Sequence, residues 1–356
     1  MIGGGADGAG EGRLTRSTGL TLTALLLLCL PIGSLRAAPA HAAGAPAHAA
    51  GSPAGARKPS APASRRTPEV KSNLAIVVDE SEAQPIYAKH PEQVAPIASI
   101  TKLMTAMVVL DAALPLEEPI AIDPTDVDRL KHSKSRLPVG GRLARGELLR
   151  VALMSSDNRA AAALGRTYPG GTGACITAMN RKAAELGMSQ SRFADPTGLS
   201  SDNVSTASDL ARMVTAARRY PPIREATTTA QHQVTLSNGR VLEFHNSNGL
   251  VSNKTWDIGL SKTGYINEAG RCLVMQATIA ARQVIIVLLD SWGKNTRLGD
   301  AARIRRWLEG AVASAGSVRR SAPPAALPLP PPLPPPDDAP SDVTTTAPGL
   351  GAGGGS

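Results

Sequence analysis

Apolar and polar positions along the chain follow two different periods, and the places where the period changes divide it into blocks. Residues 74–78 (Leu-Ala-Ile-Val-Val) form a continuous apolar run of strand length. A polar turn over 79–84 leads to a second strand-like run at 85–88, a plausible hairpin partner. From residue 101 the spacing becomes helical: 101–113 carries Leu103, Met107 and Leu110 on one face. Further helical stretches are predicted over 146–154, 158–165, 173–186 and 208–219, the last capped by Ser205 or Thr206. Residues 123–139 have no clear period, and Asp195-Pro196-Thr197-Gly198-Leu199 reads as a turn. Strand signals return at 232–236 and 241–244, joined through Asn238-Gly239, a favoured hairpin turn. Three consecutive strands follow at 261–266, 271–280 and 283–289, and a closing helix at 297–309. Strands, a helical block, strands and a helix predict a mixed α/β domain of the α+β kind. Its early hairpin joins the late strands in one antiparallel sheet, with the helical block alongside.

The ends of the 356-residue chain do not fit this scheme. Arg13 and Arg16 precede an apolar run over 20–32, and Ala-rich sites of the Ala-x-Ala kind follow at 38–43. Residues 1–43 therefore read as a secretory signal, since the run falls short of the roughly 20 residues that a membrane helix needs. Cys29 lies inside that run and follows Leu28 rather than a small residue, so it does not read as a lipidation site. Residues 44–68 are rich in Ala, Pro, Gly and Ser and read as a flexible tether. From 314 to 356 the chain turns to Ala and Pro and ends in Gly-Ala-Gly-Gly-Gly-Ser, a disordered tail by composition that excludes a second folded domain there. One domain remains over 69–313, long enough for a substantial core.

Charge adds little. The formal net charge is +9, and about +5 of it lies within the domain, from roughly 29 basic and 24 acidic residues. A mildly basic exported protein suits weak association with a polyanionic cell wall or membrane surface, although solubility alone would account for the charge. Without basic clusters interleaved with aromatics, nucleic acid is not an expected partner. Cys175 and Cys272 remain in the domain. They read as separately buried thiols, with a disulfide as the alternative that an oxidising compartment would permit. His132, His232 and His245 lack metal-ligand spacing, and no cofactor or metal is expected.

Three short motifs change the picture: Ser99-Ile100-Thr101-Lys102, Ser156-Asp157-Asn158 and Lys262-Thr263-Gly264. Each alone is weak evidence, since a helix cap, a surface lysine or an ordinary strand start would explain it. Together they describe a chemistry. Ser99 and Lys102 lie three apart at a helix start, on one face, and a serine needs such a base to become a nucleophile. The amine must be neutral for that role, and both burial and a second cation, Lys262, would lower its pKa. Ser156 supplies a second hydroxyl that could relay a proton to the leaving amine, and Asn158 an amide for Lys102 and substrate. Both also suit capping of the helix at 158, where Ser155 competes. Lys262 and Thr263 offer a cation and a hydroxyl to a substrate carboxylate, and Gly264 permits close approach to the backbone. The N–H groups of Ser99 and Tyr265 could then form an oxyanion hole.

On these motifs the chain resembles the low-molecular-mass penicillin-binding proteins, the D-Ala-D-Ala carboxypeptidases and endopeptidases. The likeness spans most of 74–308 and includes Phe193-Ala194-Asp195-Pro196-Thr197-Gly198-Leu199 and Ser205-Thr206-Ala207-Ser208-Asp209-Leu210. Residues 133–140 and 262–272 look most like the DD-endopeptidase type. The resemblance implies the β-lactamase/transpeptidase-like fold with a helical subdomain. It also implies an acyl-enzyme on Ser99, with Lys102 as base and Ser156, Asn158 and Lys262 completing the site. Substrate would be bound by Thr263, Gly264 and Tyr265, and by Arg297 as the candidate for an arginine that holds a carboxylate. It implies export to the periplasm, peptidoglycan stem peptides as substrate and β-lactams as inhibitors; oligomeric state stays open. Two other readings exist. A class A-like β-lactamase shares Ser-Asp-Asn but needs a glutamate followed three residues on by asparagine, and Glu185-Leu186-Gly187-Met188 does not supply it. A non-catalytic wall-binding protein should have lost at least one motif residue.

Overall fold

The computed structural model describes residues 67–82 and 84–321. The signal, nearly all of the tether, and the tail beyond 321 lie outside the described residues. In chain order the elements are β1 (Leu74–Asp79), β2 (Pro85–Lys89), β3 (Ala95–Pro96), α1 (Thr101–Asp111), β4 (Pro119–Ala121), β5 (Arg142–Ala144), α2 (Arg145–Met154), α3 (Asn158–Arg166), α4 (Gly171–Glu185), β6 (Val204–Ser205), α5 (Ala207–Ala217), α6 (Pro221–Thr228), β7 (Gln231–Thr235), β8 (Val241–His245), β9 (Asp257–Ile266), β10 (Gly270–Ile279), β11 (Arg282–Ser291) and α7 (Thr296–Ser321).

Five of the strands form one antiparallel sheet in the order β2-β1-β11-β10-β9, so the early hairpin does join the late strands. The register pairs Val77 with Ile286, and Lys262 with Val274. The long apolar run of β11 has a simple cause: both sheet faces are covered. Ile285, Val287 and Leu289 join the core that α5 brings to that face with Leu210, Met213 and Val214. Val284, Ile286 and Leu288 face the other way, against Ala301, Ile304 and Leu308 of α7. A period of two along the strand thus feeds two cores.

The ends of the domain are fastened together. Asp300 of α7, fully buried, accepts the Lys71 N–H (2.9 Å), the Ser72 N–H (2.7 Å) and the Ser72 hydroxyl (2.6 Å). Burial alone would raise its pKa, but these hydrogen bonds and Arg303 hold it below the usual carboxylate value.

Several elements differ in detail from the sequence reading. Helix α6 was not expected; Pro221 and Pro222 occupy its first turn, where a missing N–H costs nothing. Thr206, rather than Ser205, caps α5 by accepting the Asp209 N–H at 3.1 Å. Helix α7 continues past residue 309 and through the start of the segment read as tail, to Ser321. Residues 310–321 are rich in Ala and Ser and hold no Pro to interrupt the helix. Cys175 and Cys272 are free and buried, and burial pushes their thiols up to about 11 and about 12. Among the described residues, no helix is long and apolar enough to cross a membrane.

Candidate active site

The three motifs meet where the start of α1, the α2–α3 junction and β9 converge. Ser99 sits in a single 3₁₀ turn, Ala98–Ile100, that leads into α1. Ala98 before it is held at φ 49°, a conformation unfavourable for a residue with a side chain. Gly198 presses on that turn so closely that a Cβ there would lie 2.0 Å from the Ala98 carbonyl oxygen. Gly264 of β9 closes on it from the other side, where a Cβ would lie 2.9 Å from the Ile97 oxygen and 3.1 Å from the Ser99 nitrogen. The nucleophile is therefore clamped between two glycines, and β9, an edge strand, runs beside it.

Lys102 is buried, with its Nζ 2.9 Å from Ser99 Oγ, 2.6 Å from Asn158 Oδ1 and 2.6 Å from the Thr197 carbonyl. Burial lowers its pKa from 10.5 to about 8, and the charges of Asp195, Asp157 and Asp128 offset only part of that. A neutral amine has two N–H bonds and one lone pair. The Asn158 and Thr197 oxygens take the two N–H bonds, so the lone pair is left for the Ser99 hydroxyl. Asn158 is fixed in turn, because its Nδ2 donates to Ser133 Oγ at 2.7 Å.

Ser156 stands between α2 and α3 at φ 63°, another strained non-glycine position. Its neighbour Asp157 caps α3, accepting the Ala160 N–H at 3.0 Å and the Ser135 hydroxyl at 2.7 Å. Capping thus falls to Asp157 rather than Ser156 or Asn158, while Ser155 bonds back to the Val151 carbonyl. Lys262 Nζ donates to Ser156 Oγ (2.7 Å) and to the Thr263 carbonyl (2.8 Å). Burial first, then Lys102 and Arg297, lower the pKa of Lys262 well below its ordinary value.

Thr263 gives its hydroxyl to Ser247 Oγ at 2.7 Å, a partner with no motif to announce it. Tyr265 is about half exposed (52%), with the Arg271 guanidinium 4.6 Å over its ring. Arg297, at the start of α7, is buried but poorly partnered. Its Nη1 reaches the Lys294 carbonyl at 3.3 Å, and its Nε has no hydrogen-bond partner among the described residues. Burial, and next the charge of Arg271, lower its pKa.

Hydrogen bonds thus join Ser99 and Asn158 to Lys102, and Ser156 to Lys262; Thr263, Gly264 and Tyr265 follow Lys262 along β9, and the charges of Lys102 and Arg297 both act on Lys262. Sequence reading did not foresee Ser133, Ser135, Ser247 or the roles of Asp195 and Thr197. Asp195 accepts hydrogen bonds from Thr197 N, Thr197 Oγ1, Gly198 N, Ser200 N and Asn203 Nδ2, which fixes the loop offering the Thr197 carbonyl to Lys102. The motif containing it was visible, but a backbone oxygen leaves no mark in a sequence. Among the described residues, no group of His, Cys, Asp or Glu is placed to hold a metal ion.

Known proteins agree with this geometry. A D-alanyl-D-alanine endopeptidase of Pseudomonas aeruginosa is 49% identical over 242 residues, spanning 68% of this chain and 78% of that protein. One from Escherichia coli is 47% identical over 253 residues, spanning 71% and 82%. The Streptomyces K15 DD-transpeptidase superimposes with a TM-score of 0.63 at 27% identity, over 67% of this chain and 97% of that one. Residues 61–293 match the D-alanyl-D-alanine carboxypeptidase family. With that match and these relatives, the chain belongs to the D-alanyl-D-alanine carboxypeptidase family of serine peptidases, and its fold is the one they share with the DD-transpeptidases.

Proposed function

We propose that this serine DD-peptidase is exported to the periplasm and cleaves D-alanyl bonds of peptidoglycan stem peptides, crosslinks included, through an acyl-enzyme on Ser99. The observation that carries the proposal is Lys102 Nζ at 2.9 Å from Ser99 Oγ with its N–H bonds already committed. Lys102 takes the Ser99 proton as Oγ attacks the D-alanyl carbonyl. The N–H groups of Ser99 and Tyr265 receive the developing oxyanion on the open edge of β9. Ser156 passes its proton to the leaving amine and takes one from Lys262, which is hydrogen-bonded to it; the proton on Lys102 remains to rebalance the pair when water releases the acyl group. Asn158 orients Lys102 and offers an amide N–H to substrate. Thr263 and Arg297 hold the carboxylate beyond the scissile bond, and Gly264 lets the substrate lie close to the strand. Water then releases the acyl group.

The buried cations support the carboxylate assignment. The charge of Arg297 helps to lower the pKa of the buried Lys262, and neither forms an ion pair with a carboxylate among the described residues. An anionic substrate would restore the charge that burial disfavours. The reaction uses side chains and water alone, without metal or cofactor. A β-lactam would acylate the same Ser99 and persist there. Crosslink cleavage is favoured over simple trimming by the likeness to two endopeptidases at 49% and 47% identity. Export rests on the leader-like residues 1–43, and weak association with the wall or membrane surface on the positive charge.

The test is to incubate the protein and its Ser99→Ala variant with crosslinked muropeptide dimers and follow mass and retention. Dimers that fall to monomers with the parent alone support the proposal. Loss of terminal D-alanine with dimers intact would leave a carboxypeptidase and overturn the crosslink assignment.

A further inference from the structure

The loop between β4 and β5 does more than steady Asn158. Three of its residues are tied to the segment that follows Ser156. Asn158 Nδ2 donates to Ser133 Oγ at 2.7 Å, the Ser135 hydroxyl donates to Asp157 at 2.7 Å, and the Arg159 guanidinium donates to the Leu137 carbonyl at 2.6 Å. Arg136 donates to the Glu243 carbonyl of β8. Ahead of these anchors, the Asp128 carboxylate gathers the N–H groups of Leu130 (2.8 Å), Lys131 (3.0 Å) and Ser133 (2.8 Å). His132 is held at φ 54°, a costly conformation for a residue with a side chain. In the loop shaped this way, Lys131 reaches away from the helical wall, and its ammonium meets the Glu268 carboxylate at 2.5 Å.

Glu268 belongs to the opposite wall. It lies in the turn between β9, which ends at Ile266, and β10, which begins at Gly270. The ion pair therefore joins the wall that carries the base to the wall that carries the oxyanion donor. Its place relative to substrate follows from the direction of β9. The carboxylate beyond the scissile bond is held at Thr263 and the scissile carbonyl at the Tyr265 N–H, so the strand runs from leaving group to acyl group. Continued in that direction, it reaches Glu268 three residues past Tyr265. A peptide laid along the strand advances about 3.3 Å per residue, so the pair stands across the acyl half within about three residues of the scissile bond. Neither Lys131 nor Glu268 forms another ion pair among the described residues. Their side chains are 29% and 43% exposed, so solvent weakens the attraction and the pair opens at small cost.

We infer that Lys131 and Glu268 form a clasp across the acyl end of the cleft, which a long stem peptide must part and a short acyl group does not reach. The pair sets specificity by the length of the acyl group. It does so without disturbing the base, because Ser133, Ser135, Arg136 and Leu137 still anchor the loop when the clasp opens. This inference rests on the DD-peptidase reading and deepens it.

The test gives the full chain two thioesters with the same leaving thiol, one of acetyl-D-alanine and one of a tripeptidyl-D-alanine. Acylation by a fluorescent penicillin is the third reaction. In Glu268→Gln and Lys131→Met, kcat/KM for the long thioester is expected to rise about two- to fivefold, mainly through KM, with the other two reactions within about 1.5-fold of the parent. Raised salt should give the parent the same gain and leave the variants unmoved. Exchanging the charges, Lys131→Glu with Glu268→Lys, should return the long thioester to the parent's value. The inference is overturned if the ratio of long to short thioester is unchanged in the variants, or if it falls. It is overturned equally if all three reactions drop together, since the pair would then only support Asn158. A parent that reacts with neither thioester nor with penicillin would instead overturn the DD-peptidase reading itself.

Discussion

The two walls of the cleft are finished to different degrees. On the wall of α1 and α3, Lys102 and Asn158 both have their partners. Lys102 is held by Ser99, Asn158 and Thr197, and Asn158 by Ser133. On the wall of β9 and α7, Lys262 and Arg297 are buried near one another, and Arg297 Nε has no partner among the described residues. A complete hydrogen-bond shell gives a base whose geometry is set before substrate arrives. An incomplete shell of cations waits for the charge that completes it. Under the proposed mechanism one wall serves a proton and the other an anion, a difference that would separate chemistry from binding.

The comparison can be broken at its strongest point by Ser99→Ala. It should lower turnover by at least about a thousandfold while leaving peptide binding, measured by equilibrium titration, nearly intact. Loss of binding as well would mean that the two walls do not act separately. The next largest effect is that of pH. Burial lowers Lys102 to about 8, so its neutral form grows as pH rises through that value. Acylation by a β-lactam should therefore climb with pH to a plateau above about 8, and at pH 6 should run about a hundredfold slower. A rate independent of pH between 6 and 9 would remove Lys102 as the base.

Arg297→Leu probes the other wall. KM for peptide should rise about tenfold, with little change in acylation by a neutral ester substrate. Because the change also removes a buried, underpartnered cation, the variant should melt no lower than the parent. A drop in melting temperature with unchanged KM would make Arg297 structural. The smallest effect is expected of thiol reagents and reductant. Cys175 and Cys272 are buried with raised pKa values, so the native protein should resist alkylation and keep its activity in dithiothreitol.

What could be read from the sequence follows the same division. Side-chain chemistry in fixed spacing, such as Ser99 with Lys102 or Lys262 with Thr263, was legible because the roles demand those residue types. The sheet was legible because β1, β10 and β11 are too apolar to be anything but buried strands. The Thr197 carbonyl was not, since any residue could present it and the loop that does is fixed by Asp195 and by Thr105, which donates to the Pro196 carbonyl. Ser247 was not, because a lone serine far along the chain carries no sign of what it meets; Ser133 lay in the recognisable stretch 133–140, but nothing there announced its bond to Asn158. The length of α7 was misjudged because an Ala- and Ser-rich stretch reads equally as helix or tail.

The fastening of Lys71 and Ser72 to Asp300 has a consequence for how the molecule comes into being. Ser72 and Asp300 stand 228 positions apart, and β1, near the middle of the sheet, has β11 as its inner neighbour. Contacts this distant in the chain close slowly, since the loop between them must be ordered first. A growing polypeptide that has already released β1 must hold that strand open until β11 and α7 emerge. The β1–β11 seam can therefore close only once both strands have emerged, and the latch at Asp300 only once α7 has.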